Sequence, residues 1–160
     1  MSELQGSLEG KGRRFAVVVS RFNELVTEKL LAGARACLLQ HGVGVDAVDV
    51  LWVPGAWELP AAALHAAHTG RYAGIVALGC VIRGETPHFD YVAGEAARGL
   101  ATVALETGLP VGFGVLTTDN ADQALARAGG HKGNKGWEAA LSALELADLF
   151  AVLGEQHAGA

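Results

Sequence analysis

Short apolar runs alternate along the chain with longer stretches whose apolar positions recur every three to four residues. Phe15-Ala-Val-Val-Val19 is continuous, as expected of a strand covered on both faces. Beyond the polar Ser20-Arg-Phe-Asn23, the positions Leu30, Leu31, Ala34, Cys37 and Leu38 form one stripe and predict a helix. Asn23 is placed to cap it, Glu24 and Glu28 suit its positive end, and His41-Gly42 gives it a glycine exit. Residues 45–53 predict a second strand and 54–56 a turn. A helix over 57–68, a strand over 74–82 and a helix over 89–107 follow, the last closed by Gly108-Leu-Pro110. Val111-Gly-Phe-Gly-Val-Leu116 predicts the fourth strand. Asn120 with Gln123 three residues on is a capping-box pattern, opening a helix that ends at Gly129-Gly130. Beyond a Gly-rich loop, Ala140, Leu141, Leu144 and Ala147 mark one face of a last helix over 137–153.

The order is βαβαβαβαα, with no hairpin signal. Such alternation implies a parallel sheet with helices on both faces and right-handed crossovers. We expect an α/β fold, a three-layer αβα flavodoxin-like sandwich whose four-stranded parallel sheet runs 2-1-3-4. Residues 15–153 make the single domain and 154–160 a C-terminal tail. Residues 1–14 are polar and Gly-rich, either a disordered tail or an extended N-terminal arm adding a strand to a neighbouring subunit's sheet.

Composition changes this picture in one respect. The 160 residues are 51% hydrophobic and only 18% charged, apolar for a lone domain, so the surplus reads as subunit interface. A net charge of −5 with no Lys/Arg cluster argues against nucleic acid or an anionic membrane as partner. No apolar run approaches the ~18–20 residues of a membrane span. The first residues lack the charged-then-apolar order of a secretory signal, which makes the cytoplasm the expected location. Cys37 and Cys80 read as reduced, small hydrophobes.

The chemistry gathers where the third predicted strand ends, in a loop holding Arg83, the amides of Gly84 and Glu85, the Thr86 hydroxyl and the His88 imidazole. Open α/β sheets place ligands at the carboxyl ends of their strands, and loop amides entering a helix suit an anion. The other loops at that edge add two rings, Phe22 and Trp57, and the Glu58 carboxylate. Rings stack on a heterocycle, and a carboxylate accepts from polyol hydroxyls. The set therefore reads as a site for a heterocycle, a polyol and a phosphate, with one proton-transfer residue.

Plainer readings stand beside this one. Phe22, Trp57 and Phe113 are also what core aromatics look like. His65 and His68 make two of the three or four ligands a metal needs. Cys80 in an apolar strand reads as an inert thiol. Lys132 and Lys135 in a Gly-rich loop read as solvated or anion-facing charges rather than Schiff-base amines.

Five ordered segments carry a resemblance: Ser20-Arg-Phe-Asn23, Pro54-Gly-Ala-Trp-Glu58, Gly79-Cys-Val-Ile-Arg-Gly-Glu-Thr-Pro-His-Phe-Asp-Tyr-Val92, Gly114-Val-Leu-Thr-Thr-Asp-Asn120 and Gly133-Asn-Lys-Gly136. Together they resemble the lumazine synthase family along essentially the whole chain. The resemblance implies condensation of 5-amino-6-(ribitylamino)uracil with 3,4-dihydroxy-2-butanone 4-phosphate to 6,7-dimethyl-8-ribityllumazine in riboflavin biosynthesis. Phosphate and water are released, and no metal or organic cofactor takes part. By motif, Phe22 would stack on the pyrimidine, and Ala56, Trp57 and Glu58 would hold the ribityl chain. Val81 and Ile82 would offer main-chain groups to the ring, Glu85 and Thr86 would bind phosphate, and His88 would shuttle protons. Phe113 and the phosphate-gripping Arg127 would come from a neighbouring subunit, with Lys135 nearby.

The resemblance further implies a homo-oligomer of pentamers, with riboflavin synthase as a candidate partner. The short loop over 129–136 matches members that assemble into sixty-subunit icosahedral shells. Two positions depart from the family's simplest pattern. Glu85 stands where a small residue is common, so its side chain is expected to turn away while its N–H serves the anion. Trp57 is bulkier than the usual Phe. Two competing functions remain at this stage: a non-catalytic shell or flavin-binding protein of the same architecture, and a phosphosugar isomerase or aldolase using Lys135 or Cys80.

Overall fold

The structure, a computed structural model, describes residues 1–158, with side chains as far as residue 155. Four parallel strands form the sheet: β1 (Phe15–Ser20), β2 (Val48–Val53), β3 (Gly74–Ile82) and β4 (Val111–Thr118), in the order β2-β1-β3-β4. Four long helices flank it: α1 (Glu24–Gln40), α2 (Leu59–His68), α3 (His88–Thr107) and α5 (Lys135–Ala158). A short helix, α4 (Ala121–Ala126), follows β4. This is the α/β flavodoxin-like arrangement expected.

β1 shows why the sheet sits where it does. All six of its residues are buried, because each face meets a different helical layer. Phe15, Val17 and Val19 pack with Leu30, Leu38 and Leu144 on the side of α1 and α5. Ala16 and Val18 pack with Leu59, Ala63 and Leu100 on the side of α2 and α3. Complete burial of one such large side chain contributes about 1.5–3 kcal/mol. The small residues on the second face let α2 and α3 lie close to the sheet.

Several elements differ from expectation. Residues 45–47 form a short 3-10 turn closed by the Ala47 amide on the Gly44 carbonyl, so β2 begins only at Val48. Residues 56–58 likewise form a 3-10 turn ahead of α2. The stretch expected as a plain Gly-rich loop contains a small antiparallel hairpin, β5 (Ala128–Gly130) with β6 (Gly133–Asn134). Gly129 and Gly133 there adopt φ of 106° and 83°, conformations that side-chain-bearing residues rarely take. Gly154 does not stop α5, which runs to Ala158; the rest of the expected tail, residues 159–160, lies outside the described residues.

Within its own chain the arm forms no strand. It lies on its own chain, with Gly6 and Gly10 buried. The Ser7 amide donates to Asp148 Oδ2 (2.7 Å), Arg13 pairs with Asp148 Oδ1 (3.1 Å), and the Gly10 amide donates to the His41 carbonyl (2.8 Å). The Ser7 amide and then the Arg13 guanidinium hold the Asp148 carboxyl below its ordinary range.

Candidate active site

The loops at the carboxyl edge of the sheet build two cavities. The first, about 770 Å³, is of a size that encloses a small-molecule ligand. Its walls bring together Phe22 after β1; Ala56, Trp57 and Glu58 after β2; Val81, Ile82 and Thr86 around the end of β3; and His88 at the start of α3. Phe22 is 69% exposed and Trp57 57%, so both rings stand free on the rim and neither is a core aromatic. Ala56 and Val81 are nearly buried and form the floor. The lining is mainly apolar, with Glu58 its one carboxylate and His88 its one imidazole.

The anion loop differs in detail from its sequence reading. Arg83 is not part of the cavity wall. Its guanidinium lies over the Phe89 ring (4.5 Å to the centroid), with Nε 3.2 Å from Asp119 and NH1 3.8 Å from Asp90. The cation is therefore spent on two carboxylates and a ring face. Glu85 is exposed and lines neither cavity. Among the described residues, the amides of Gly84, Glu85 and Thr86 donate to no backbone carbonyl outside regular elements.

The second cavity, about 480 Å³, lies along β4 and the start of α5. It holds Phe113, Arg127 and Lys135, with Thr117, Lys132 and Glu138. Three cations against one carboxylate make it the electropositive site of the pair. Arg127 NH1 donates to the Gln123 carbonyl (2.9 Å), and the Arg127 carbonyl accepts from the Lys135 amide (2.8 Å), so the end of α4 and the start of α5 hold the two cations side by side. Phe113 is 40% exposed on the edge strand, against its core reading. The two cavities share no residue. Of the sequence-predicted residues, eight gather in the first, three in the second, and Glu85 in neither.

Sequence reasoning missed Tyr91, 68% exposed, and Phe89 in the first cavity. The signal was present: Tyr91 is three residues after His88 and shares its helix face. Glu138 relates to Lys135 in the same way in the second. Cys80 lies on the wall of the first cavity but is only 2% exposed, and burial pushes its thiol up to about 11. Such a thiol is a poor nucleophile at neutral pH. His65 and His68 lie on α2, and among the described residues no group of three or more His, Cys, Asp or Glu is placed to hold a metal ion. No described helix is long and apolar enough to cross a membrane.

Comparison with known proteins gives two findings. Residues 12–151 match the family model described as 6,7-dimethyl-8-ribityllumazine synthase. A relative from Gemmatimonas aurantiaca, named 6,7-dimethyl-8-ribityllumazine synthase, is 57% identical over 150 residues, spanning 94% of this chain and 92% of its own.

Proposed function

Because the chain belongs to the 6,7-dimethyl-8-ribityllumazine synthase family, we propose that its two cavities are the halves of one active site completed between neighbouring subunits. The enzyme is a transferase of riboflavin biosynthesis. It condenses 5-amino-6-(ribitylamino)uracil with 3,4-dihydroxy-2-butanone 4-phosphate and releases phosphate and water.

The observation that carries the site assignment is the sharing of one cavity by Phe22, Trp57, Glu58 and His88. Phe22 stacks on the pyrimidine, Val81 and Ile82 present main-chain groups to its edge, and Ala56, Trp57 and Glu58 hold the ribityl chain. Glu85, through its amide, and Thr86, through its hydroxyl, take the phosphate. Arg127 from the neighbour grips the same group, since its planar fork binds two oxygens at once. Phe113 and Lys135 close that side.

Each step of the condensation moves a proton near neutral pH. The substrate's own amine attacks the ketone carbon, phosphate leaves, and the ring closes. His88 takes and returns those protons, imidazole being suited to both directions. The nucleophile belongs to the substrate, so the protein's share is positioning and proton transfer. A scaffold alone has no use for Glu58, His88 and Arg127 in these places, which favours the enzyme over a non-catalytic shell. An isomerase or aldolase acting through Cys80 would need a reactive thiol there, and burial holds that thiol protonated. One acting through Lys135 would need a second acid/base group in the loop that holds His88, and that loop's part of the first cavity has none.

Pentamers assembled into a sixty-subunit shell, a cytoplasmic setting and riboflavin synthase as a partner complete the reading. The apolar composition and the compact hairpin between α4 and α5 support assembly. The test is direct. Protein mixed with both substrates accelerates appearance of the lumazine chromophore, and size-exclusion chromatography gives a shell-sized species. No acceleration refutes the activity, and a free pentamer refutes the shell.

A further inference from the structure

Resting on the reading of Phe22 as the stacking ring, we propose that Asn23 is a positioning residue, setting that ring against the end of β3 through a bond to the main chain. Asn23 is the one non-glycine residue with positive φ among the described residues (φ 62°, ψ 46°). The left-handed region is disfavoured for L residues, and asparagine is among those that enter it most readily. A helix start does not demand it. Asn120 opens α4 from extended backbone and spends its side chain on the Gln123 amide (2.8 Å). Asn23 makes no such cap; the amides of Val26 and Thr27 reach its carbonyl instead (3.0 and 3.1 Å).

What the left-handed turn gains is a direction for the side chain. Asn23 Nδ2 donates to the Cys80 carbonyl at 2.8 Å. Cys80 lies two residues beyond the last β1–β3 pair, Val19 with Leu78. The Asn23 amide thus stands in for the strand that has turned away. On the other side, the amides of Arg21 and Phe22 donate to the Val53 and Pro54 carbonyls (2.8 and 3.0 Å). The backbone around Phe22 is therefore fastened to the end of β2 and the end of β3, and Pro54 and Cys80 both line the cavity. The exposed ring has little packing of its own, so these three bonds fix where it points. A strained backbone beside a ligand cavity is where such positioning is expected.

Steady-state kinetics of the assembled full chain, followed at the lumazine absorbance, test this. Asn23→Gly accepts the left-handed backbone without strain and loses only the donor. It should fold with Tm at or above wild type, with KM for the pyrimidine substrate raised roughly 10-fold, as loss of one aligned hydrogen bond implies. Its kcat and its KM for the ketone phosphate should stay within about 2-fold of wild type. Asn23→Asp removes the donor and sets a carboxylate oxygen against the Cys80 carbonyl, so it gives the same split, at least as large. Phe22→Ala raises the same KM, and adding Asn23→Gly to it has no further effect, because the two act as one unit. An unchanged pyrimidine KM in both Asn23 variants, or additive effects in the double variant, with Phe22→Ala still impaired, overturns the positioning role alone. An unaffected Phe22→Ala overturns the stacking reading and the positioning role with it.

Discussion

His88 stands at the first position of α3, exposed, on the wall it shares with Phe22 and Glu58. Its removal leaves the rest of the cavity in place. We expect His88→Ala to slow turnover roughly 10–100-fold, somewhat less than the ~10²–10⁴ often seen for acid/base groups, because positioning survives. Lumazine formation under saturating substrates measures this. The two thiols behave differently. Cys37 and Cys80 are each buried and each pushed up to about 11, so they resist iodoacetamide in the native protein at pH 7.5 and react once it is unfolded. Both groups have a raised folded pKa, so stability is full below the unfolded value of ~8.5 and declines as pH rises toward 11. Rapid labelling of native protein at pH 7.5 would contradict this. The asparagines show how far residues can be read from sequence. Asn23 and Asn134 are both short polar side chains ahead of a helix, and sequence assigned the cap to Asn23. The structure gives Asn23 a left-handed backbone and makes Asn134 the cap, since the choice depends on which carbonyls and amides lie within reach.

Asn134 belongs to the scale of elements, for it joins two of them. Its Oδ1 accepts from the amides of Gly136 (2.8 Å) and Trp137 (3.1 Å) at the start of α5, and its Nδ2 donates to the Lys29 carbonyl of α1 (3.1 Å). A Cβ on Gly33 would collide with this side chain, so the bare glycine lets it dock. Asn134→Ala should cost about 1–2 kcal/mol, the value of a lost helix cap, read as a lower urea midpoint with unchanged m. Long elements were legible because burial imposes a period. β3 has one partly exposed residue, and its limits match the sequence reading at both ends. Short elements were not. Val45 is apolar but 74% exposed, and the two strands of the β5–β6 hairpin have three residues and two, too few to show a period. Gly112 and Gly114 carried no meaning as a pair in the sequence. In the fold, a Cβ on Gly112 would strike the Ala139 carbonyl, so that glycine sets the closeness of β4 and α5.

For the molecule as a whole, the two cavities divide between them the chemistry that the proposed site needs. The first has Phe22, Trp57, Glu58 and the imidazole, and the second has the cations Arg127, Lys132 and Lys135 beside Phe113 and Glu138. Eleven of the twelve candidates line one cavity or the other, but which of them would face a neighbour came only through the family resemblance. Linear spacing does not say which side of β4 a side chain occupies. A complementation experiment tests the division. His88→Ala and Arg127→Ala chains, each impaired alone, are unfolded together in equal amounts and refolded. About a quarter of the interfaces should then pair an intact His88 with an intact Arg127 from the next chain, and activity should rise accordingly above either parent. A mixture no more active than the average of its parents would place both halves within one chain. The separated cavities also bear on heredity. With halves shared in this way, a chain faulty in one cavity silences only one site and still lends its sound half to a neighbour. Two alleles faulty in different cavities should therefore restore part of each other's function when expressed together.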